Sequence, residues 1–335
     1  MNSLWTLLAA TISFGITALL GKWMVPFLHR VNFGQTIRDE GPSWHRKKNG
    51  TPTMGGFLFI VGILVAAAVC LSMYYGAEGL SEQNLAMRTK IVGGLLMACA
   101  FGLIGFFDDY IKVVKKRNLG LTVRQKLVLQ FLVAGGYLYT LYRFGTGSVT
   151  LIPFVGGVNL GVWYWICSLF GIVGMVNAVN FTDGIDGLNA SVTFFACAAF
   201  MIISGVLRLA PVGIVSAAAA GGCLGFLVWN FNPAKVFMGD TGSLFLGGLV
   251  CALGFNLSAP ILILLIGIVY IAEILSVVLQ VSYFKVTHGK RLFKMSPIHH
   301  HFELCGWSEV KICIVFSAVT AFFGAISVLL ALYEF

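Results

Sequence analysis

The six aspartates of this 335-residue chain are Asp39, the adjacent pair Asp108 and Asp109, the spaced pair Asp183 and Asp186, and Asp240. Adjacent carboxylates repel and ionise cheaply only beside cations. The segment FFDDYIKVVKKRN places Lys112, Lys115, Lys116 and Arg117 just after the first pair. Oxygen ligands next to lysines are the chemistry of a hard cation and an anionic substrate. The segment NAVNFTDGIDGLN adds Asn177, Asn180, Asp183, Asp186 and Asn189. Spacings of three or four put such side chains on one face of a helical turn, and Gly184 and Gly187 let a ligand approach the backbone. An EF-hand is excluded, because its spacing and its terminal Glu are absent. A third segment, WNFNPAKVFMGDTGS, carries Asn230, Asn232, Lys235, Phe237 and Asp240. Thr241 and Ser243 are expected to cap the helix that follows, with Asp240 near its positive N-terminus.

Two further segments hold polar side chains of catalytic type. THGKRLFKMSPIHHHFELCGW contains His299, His300 and His301 in a row. A zinc site with Cys305 as fourth ligand is the competing reading. Three consecutive side chains converge poorly on one ion, so imidazoles facing a phosphate or sugar suit the segment better. KKNGTPTMGG, residues 47–56, offers Lys48, the Thr51 and Thr53 hydroxyls and a turn shaped by Gly and Pro. It is not a Walker A loop, since GxxxxGK[ST] is absent. Glu273 lies within an apolar stretch without an obvious partner, which reads as a functional acid or a hydrogen bond between helices.

These residues must be positioned by elements of a membrane protein. Hydrophobic residues make up 58% of the chain, charged ones 10%, and the mean hydropathy is +0.90. A soluble domain carries about 25% charged residues, so that class is excluded, as is an ordinary nucleic-acid binder despite the net charge of +9. Ten apolar stretches are expected as spans: 4–27, 53–74, 91–107, 127–142, 162–179, 188–206, 212–229, 243–257, 261–281 and 312–332. Asp108 and Asp109 then end the third span, at a helix C-terminus whose dipole opposes them. Eighteen of the 22 basic residues and all six Asp fall in or beside the odd-numbered loops. The positive-inside rule puts those loops in the cytoplasm and both termini outside. Residues 148–162, SVTLIPFVGGVNLGV, read as an extracytoplasmic β-hairpin turning at Gly156-Gly157. The eight Cys include no CxxC and read as small apolar residues. The fold class is all-α and polytopic, one domain over 1–335, with its site built from loops 28–52, 108–126, 180–187, 230–242 and 285–311.

GTPTMGG, FFDDY, NFTDGIDGLN, FMGDTGS and PIHHHFE, in this order over nearly the whole chain, resemble the polyprenyl-phosphate N-acetylhexosamine-1-phosphate transferases. GTPTMGG with HHHFE is similar to the phospho-N-acetylmuramoyl-pentapeptide-transferase branch, although Phe302 stands where many members carry Tyr. The resemblance implies transfer of phospho-N-acetylmuramoyl-pentapeptide from its UDP-activated donor to undecaprenyl phosphate, giving lipid I and UMP with Mg²⁺. It also implies a bacterial cytoplasmic membrane, a cytoplasmic site and a homodimer. On that reading Asp240 and Asp109 hold Mg²⁺, and Asp108 and His299 join them as catalytic candidates. Asn180, Asp183 and Asp186 read uracil and ribose, Phe237 stacks on the base, and Lys48, Thr53 and Asn230 line the pocket. His300 and His301 meet the diphosphate or sugar-peptide, and Lys116, Asn177 and Gln280 complete the substrate-binding set. The alternatives are a related transferase using UDP-N-acetylglucosamine, or a secondary transporter. A transporter places ionisable groups near the bilayer midplane, where only Glu273 is expected.

Overall fold

The structure is a computed structural model describing residues 2–31, 48, 50–79, 81–114 and 120–334. In chain order the elements are α1 (Asn2–Arg30), α2 (Gly56–Glu78), α3 (Glu82–Val114), α4 (Val123–Arg143), β1 (Val149–Ile152), β2 (Gly156–Asn159) and α5 (Val162–Thr182). They continue with α6 (Leu188–Val206), α7 (Ala210–Asn230), α8 (Gly239–Asn256), α9 (Leu262–Ile266), α10 (Ile268–Val286), α11 (Ile298–Glu303) and α12 (Glu309–Glu334). Among the described residues, eight helices are long and apolar enough to cross a membrane: α1, α2, α3, α5, α6, α7, α10 and α12. The chain is therefore read as a multi-pass membrane protein. The other two long helices are α4 and α8. The first turn of α4 carries Arg124, Gln125 and Lys126, and α8 opens on Gly-Asp-Thr-Gly-Ser.

A helix apolar all round is buried, and α7 and α8 occupy that place. α8 packs against α3, α5 and α2, while α7 packs against α1, α2 and α6. Both are buried along nearly their whole length. Small residues set these approaches. A side chain at Gly105 on α3 would collide with the Asp240 carbonyl, so α3 meets the start of α8 backbone to backbone. Leu96, Leu103, Phe170, Ile314 and Phe322 are exposed on the outer helices, as lipid-facing positions require.

Three expectations about the elements are corrected. α3 runs from Glu82 to Val114, 33 residues, or about 50 Å at 1.5 Å per residue. It outlasts a bilayer core of ~30 Å, so Asp108 and Asp109 sit on a projecting stretch rather than at the helix end. The ninth expected span, 261–281, is divided at Gly267 into α9 and α10. The hairpin exists, with Val149 opposite Asn159 and Ile152 opposite Gly156. Its turn is Pro153-Phe154-Val155, however, and Gly156 is already in β2. Pro presets the first turn position, and Phe154 takes the left-handed conformation at φ 66°. The Phe154 amide donates to the Glu334 carboxylate at 3.1 Å, which ties the hairpin to the end of α12. The polar residues gather at the opposite end of the bundle. There the C-terminal ends of α3, α5 and α7 meet the N-terminal ends of α2, α4, α6, α8 and α12.

Candidate active site

Asp109 fixes the geometry of the first cluster. A helix start leaves backbone N–H groups unpaired. Thr241 and Ser243 were expected to cap α8, and neither does. The acceptor comes from α3. Asp109 Oδ1 accepts from the Asp240 amide at 3.2 Å, and Oδ2 accepts from the Thr241 amide at 2.9 Å and its hydroxyl at 2.7 Å. The carboxylate that seemed to oppose one helix dipole thus favours another. This contact holds Asp240 beside the α3 pair. Asp240 Oδ2 accepts from Lys112 Nζ at 3.0 Å and Lys126 Nζ at 2.7 Å. Its Oδ1 accepts from Asn180 Nδ2 at 2.9 Å, which also donates to Ser243 Oγ at 2.7 Å. Asp108 pairs with Lys112 at 2.6 Å and accepts from the Leu121 amide at 2.8 Å.

One oxygen from each of Asp108, Asp109 and Asp240 lies within 4.8 Å of the other two. An all-oxygen donor set suits a hard cation such as Mg²⁺. Asp240 is the carboxylate of the three best able to exchange partners, because among the described residues side chains alone hold its oxygens. Both Asp109 oxygens are engaged by the start of α8. Among the described residues no other group of three acid, His or Cys ligands converges. The histidine row with Cys305 therefore does not form a zinc site here.

A second cluster is centred on Asp186, which is buried. Its Oδ1 accepts from Lys48 Nζ at 2.7 Å, and Oδ2 accepts from Asn232 Nδ2 at 3.2 Å and the Ala234 amide at 2.9 Å. Lys48 also pairs with the Glu309 carboxylate at 2.6 Å, and Glu309 accepts from the Asp186 amide at 3.0 Å. The Cys313 thiol donates to the Asp186 carbonyl at 3.2 Å. Among the described residues, Lys48 is thus the one cation between two carboxylates. Lys48→Ala leaves those carboxylates facing each other, and a cost of roughly 2 kcal/mol is expected. Thermal melting in detergent checks this, and Glu309→Gln added to Lys48→Ala should recover part of the loss.

Between the clusters lies Asp183, whose amide donates to the Asn180 carbonyl at 3.3 Å and whose carboxyl has no hydrogen bond or ion pair among the described residues. Burial, then the charges of Asp240, Asp109 and Asp186, hold its carboxyl well above the usual carboxylate range. Thr53 reaches the same area: a side chain at Gly239 would meet both Asp109 Oδ2 and Thr53 Oγ1. Phe237 is half-buried, its amide donating to the Pro52 carbonyl at 2.8 Å and its carbonyl accepting from Gly55 at 2.8 Å. The GTPTMGG turn is thereby laid along the strand-like approach to α8.

Other candidates spend their polar atoms on the protein. Asn230 Oδ1 accepts from the Gly187 amide at 3.1 Å and Nδ2 donates to the Val236 carbonyl at 2.9 Å. It fastens α7 to the Asp183–Gly187 turn. Asn177 pairs with Gln130 of α4 at 2.7 Å, away from the carboxylates' partners. Gln280 accepts from the Leu292 and Phe293 amides at 3.0 and 2.8 Å and donates to the Phe293 carbonyl at 3.1 Å. It shapes the 287–297 loop. His300 Nδ1 lies 2.6 Å from Glu303, and His301 Nδ1 accepts from the Lys294 amide at 3.2 Å. Phe302 stacks on Trp307 with centroids 4.7 Å apart. His299 Nδ1 lies 3.0 Å from Glu273 Oε2, so the intramembrane acid has a partner. Lys116 lies outside the described residues.

Sequence reasoning missed Lys126 and Glu309, and it noted Lys112 and Asn232 within the clusters without giving them a role in the site. Lys112 carried a signal, being three and four residues from the Asp pair on one helix. Lys126 carried a weaker one in the capping box Thr122-x-x-Gln125, which fixes the start of α4. Glu309 carried none.

A helical membrane bundle with carboxylates, lysines and histidines gathered at one end defines a class, the membrane-embedded transferases of phosphorylated groups. Residues 91–258 match the family model of glycosyl transferase family 4, and residues 48–60 match signature 1 of phospho-N-acetylmuramoyl-pentapeptide-transferase. Curated proteins of that name are similar along nearly their full length. The one from Desulforamulus reducens is 45% identical over 96% of this chain and 94% of its own. That from Halalkalibacterium halodurans is 44% identical over 98% of both chains. That from Bacillus mycoides is 46% identical over 93% of this chain and 94% of its own. The chain belongs to the phospho-N-acetylmuramoyl-pentapeptide-transferase family.

Proposed function

We propose that the protein transfers phospho-N-acetylmuramoyl-pentapeptide from its UDP-activated donor to undecaprenyl phosphate, releasing UMP and forming lipid I. The observation that carries the reading is the Asp108–Asp109–Asp240 cluster faced by Lys112 and Lys126, in a chain of this family. The physical problem of the reaction is repulsion between two phosphates and the charge that develops on departing UMP. Mg²⁺ bound at Asp240, with Asp109 beside it, would neutralise that charge. Lys112 and Lys126 supply fixed positive charge at the same place. The nucleophile is a phosphate oxygen. A phosphomonoester has a second pKa near ~6, so the acceptor is largely dianionic at neutral pH and direct attack needs no strong base. Asp108 takes the remaining proton or orients the acceptor phosphate.

The donor's uridine is read around Asp183, with Phe237 against the base and Lys48, Thr53 and Asp186 around it. His299, His300 and His301 face the diphosphate and sugar. In this reading Asn180 orients Asp240 rather than reading the base, and Asn230 and Gln280 act through the loops they fasten. The topology follows the charge rule: ten crossings with α4 and α8 included, both termini outside, and the site facing the cytoplasm. The working unit is a homodimer in the bacterial cytoplasmic membrane.

UMP release from purified enzyme with undecaprenyl phosphate and Mg²⁺ tests the proposal. Turnover is expected with the muramoyl-pentapeptide donor and not with UDP-N-acetylglucosamine. The reverse preference would reassign the donor. Absence of UMP with either, together with flux into liposomes, would favour a transporter.

A further inference from the structure

Glu273 and His299 are both fully buried, at 0% exposure, Glu273 in α10 and His299 in the short α11. Both carboxylate oxygens lie within 3.1 Å of His299 Nδ1. Among the described residues no Lys or Arg pairs with Glu273. The opposite ring nitrogen, Nε2, is buried and has no hydrogen-bond partner among the described residues. It faces Gly184, where any side chain would collide with it. Gly184 belongs to the turn that carries Asp183 and Asp186. A buried polar atom left unpaired is costly, and this one points at the region where the donor is expected.

We propose that Glu273 is a positioning residue for the transfer, holding His299 as an imidazolium whose Nε2–H is presented to an oxygen of the donor diphosphate. The inference rests on the transfer reading above. The chemistry follows from the donor inventory of the ring. A carboxylate is an acceptor, so the nitrogen facing it carries a proton. A buried carboxylate without another cation favours a proton on the second nitrogen as well. Nε2 is then a charged donor, which suits a phosphate oxygen. A neutral ring held in the same tautomer would offer only a lone pair there and would repel the same oxygen. Gly184 contributes by letting the Asp183–Asp186 turn lie directly against the ring edge, which a side chain there would not allow. The arrangement is one of carboxylate, imidazole and target in line, the carboxylate fixing the ring without touching the substrate.

Glu273→Gln keeps an acceptor for Nδ1 and the packing volume while removing the charge, and thermal melting identifies a variant that has failed to fold. Steady-state UMP release against pH is measured for wild type, Glu273→Gln, His299→Asn and the double variant. For Glu273→Gln the expected result is a 10- to 100-fold fall in kcat, a small change in the KM for undecaprenyl phosphate, and an alkaline limb displaced to lower pH. The double variant is expected to be no worse than His299→Asn alone. A Glu273→Gln enzyme with wild-type kcat and an unmoved profile overturns the proposal, as does a double variant whose losses multiply. A second readout needs no turnover. The ¹⁵N spectrum of histidine-labelled protein, with His299 assigned by its loss in His299→Asn, should show both ring nitrogens protonated in wild type and one in Glu273→Gln. An unchanged His299 signal rejects the Glu273 assignment even if the transfer reading holds. The expected change keeps that assignment even if no donor supports UMP release.

Discussion

Asp240→Asn lowers kcat for UMP release by about 10³-fold, or ~4 kcal/mol of transition-state stabilisation, while the protein stays folded. The size follows from what converges on this carboxylate. Lys112, Lys126 and Asn180 all end on Asp240, and among the described residues it is the carboxylate of the three with neither oxygen held by a backbone donor. The companion result separates chemistry from architecture. Asp109→Ala removes the acceptor for two backbone amides and one hydroxyl at the start of α8. Lost caps of this kind cost ~1–2 kcal/mol, so that variant should melt earlier as well as turn over slowly. Asp240→Asn should show the loss of turnover with little change in melting. Steady-state kinetics across a Mg²⁺ titration, beside melting curves in the same detergent, measures both. Normal turnover by Asp240→Asn with Mg²⁺ would remove the residue from the metal site. An unchanged melting temperature for Asp109→Ala would remove the cap.

The parts of this arrangement that were legible in sequence share a cause. A low-dielectric environment makes every charge expensive, so the few carboxylates of the chain stand out, and Asp108, Asp109, Asp183, Asp186 and Asp240 do gather at one end of the bundle. Hydropathy located ten long helices, and among the described residues eight of them are long and apolar enough to cross a membrane. Helix ends were less legible. The stretch of α3 beyond Phe107 mixes Asp108, Asp109 and Lys112 with Ile111, Val113 and Val114, so average hydropathy does not mark where the helix ends. Hydropathy also read 261–281 as one span, since a break at Gly267 between two apolar runs leaves the average unchanged. Tertiary pairs were the least legible. Glu309 meets Lys48 across 261 residues, and Glu273 meets His299 across 26. No local spacing encodes either. The Asp109 cap is the same kind of contact, an acceptor supplied by another helix, and the side chains local to α8 that looked like caps point elsewhere. Asn230 and Gln280 show the converse. Their positions near the site were readable, but their amides serve neighbouring loop backbone.

Asp183→Asn is expected to stabilise the unliganded protein and to weaken donor use, and the two effects have one origin. The Asp183 carboxyl is held well above the usual range by burial and by the charges of Asp240, Asp109 and Asp186. Its folded pKa thus exceeds its unfolded value of ~4. Below ~4 both states are protonated, and the group leaves stability unchanged. As pH rises from there toward the folded pKa, the unfolded chain sheds the proton and the folded chain retains it, so stability is lost. Asparagine does not titrate, so the variant should escape this loss and be more stable near neutrality. Its melting temperature should also vary less with pH above ~4. A carboxylate kept at such a cost without a protein partner fits a ligand partner, since strained polar groups persist where function uses them. Removal of the carboxyl should therefore raise the donor KM by up to about 10-fold, the range of a neutral hydrogen bond. The KM for undecaprenyl phosphate should move far less. Melting curves of the unliganded pair across pH, with KM for each substrate, test both halves. Parallel pH profiles of melting would show that Asp183 carries no such penalty. An unchanged donor KM would place the nucleotide elsewhere in the pocket.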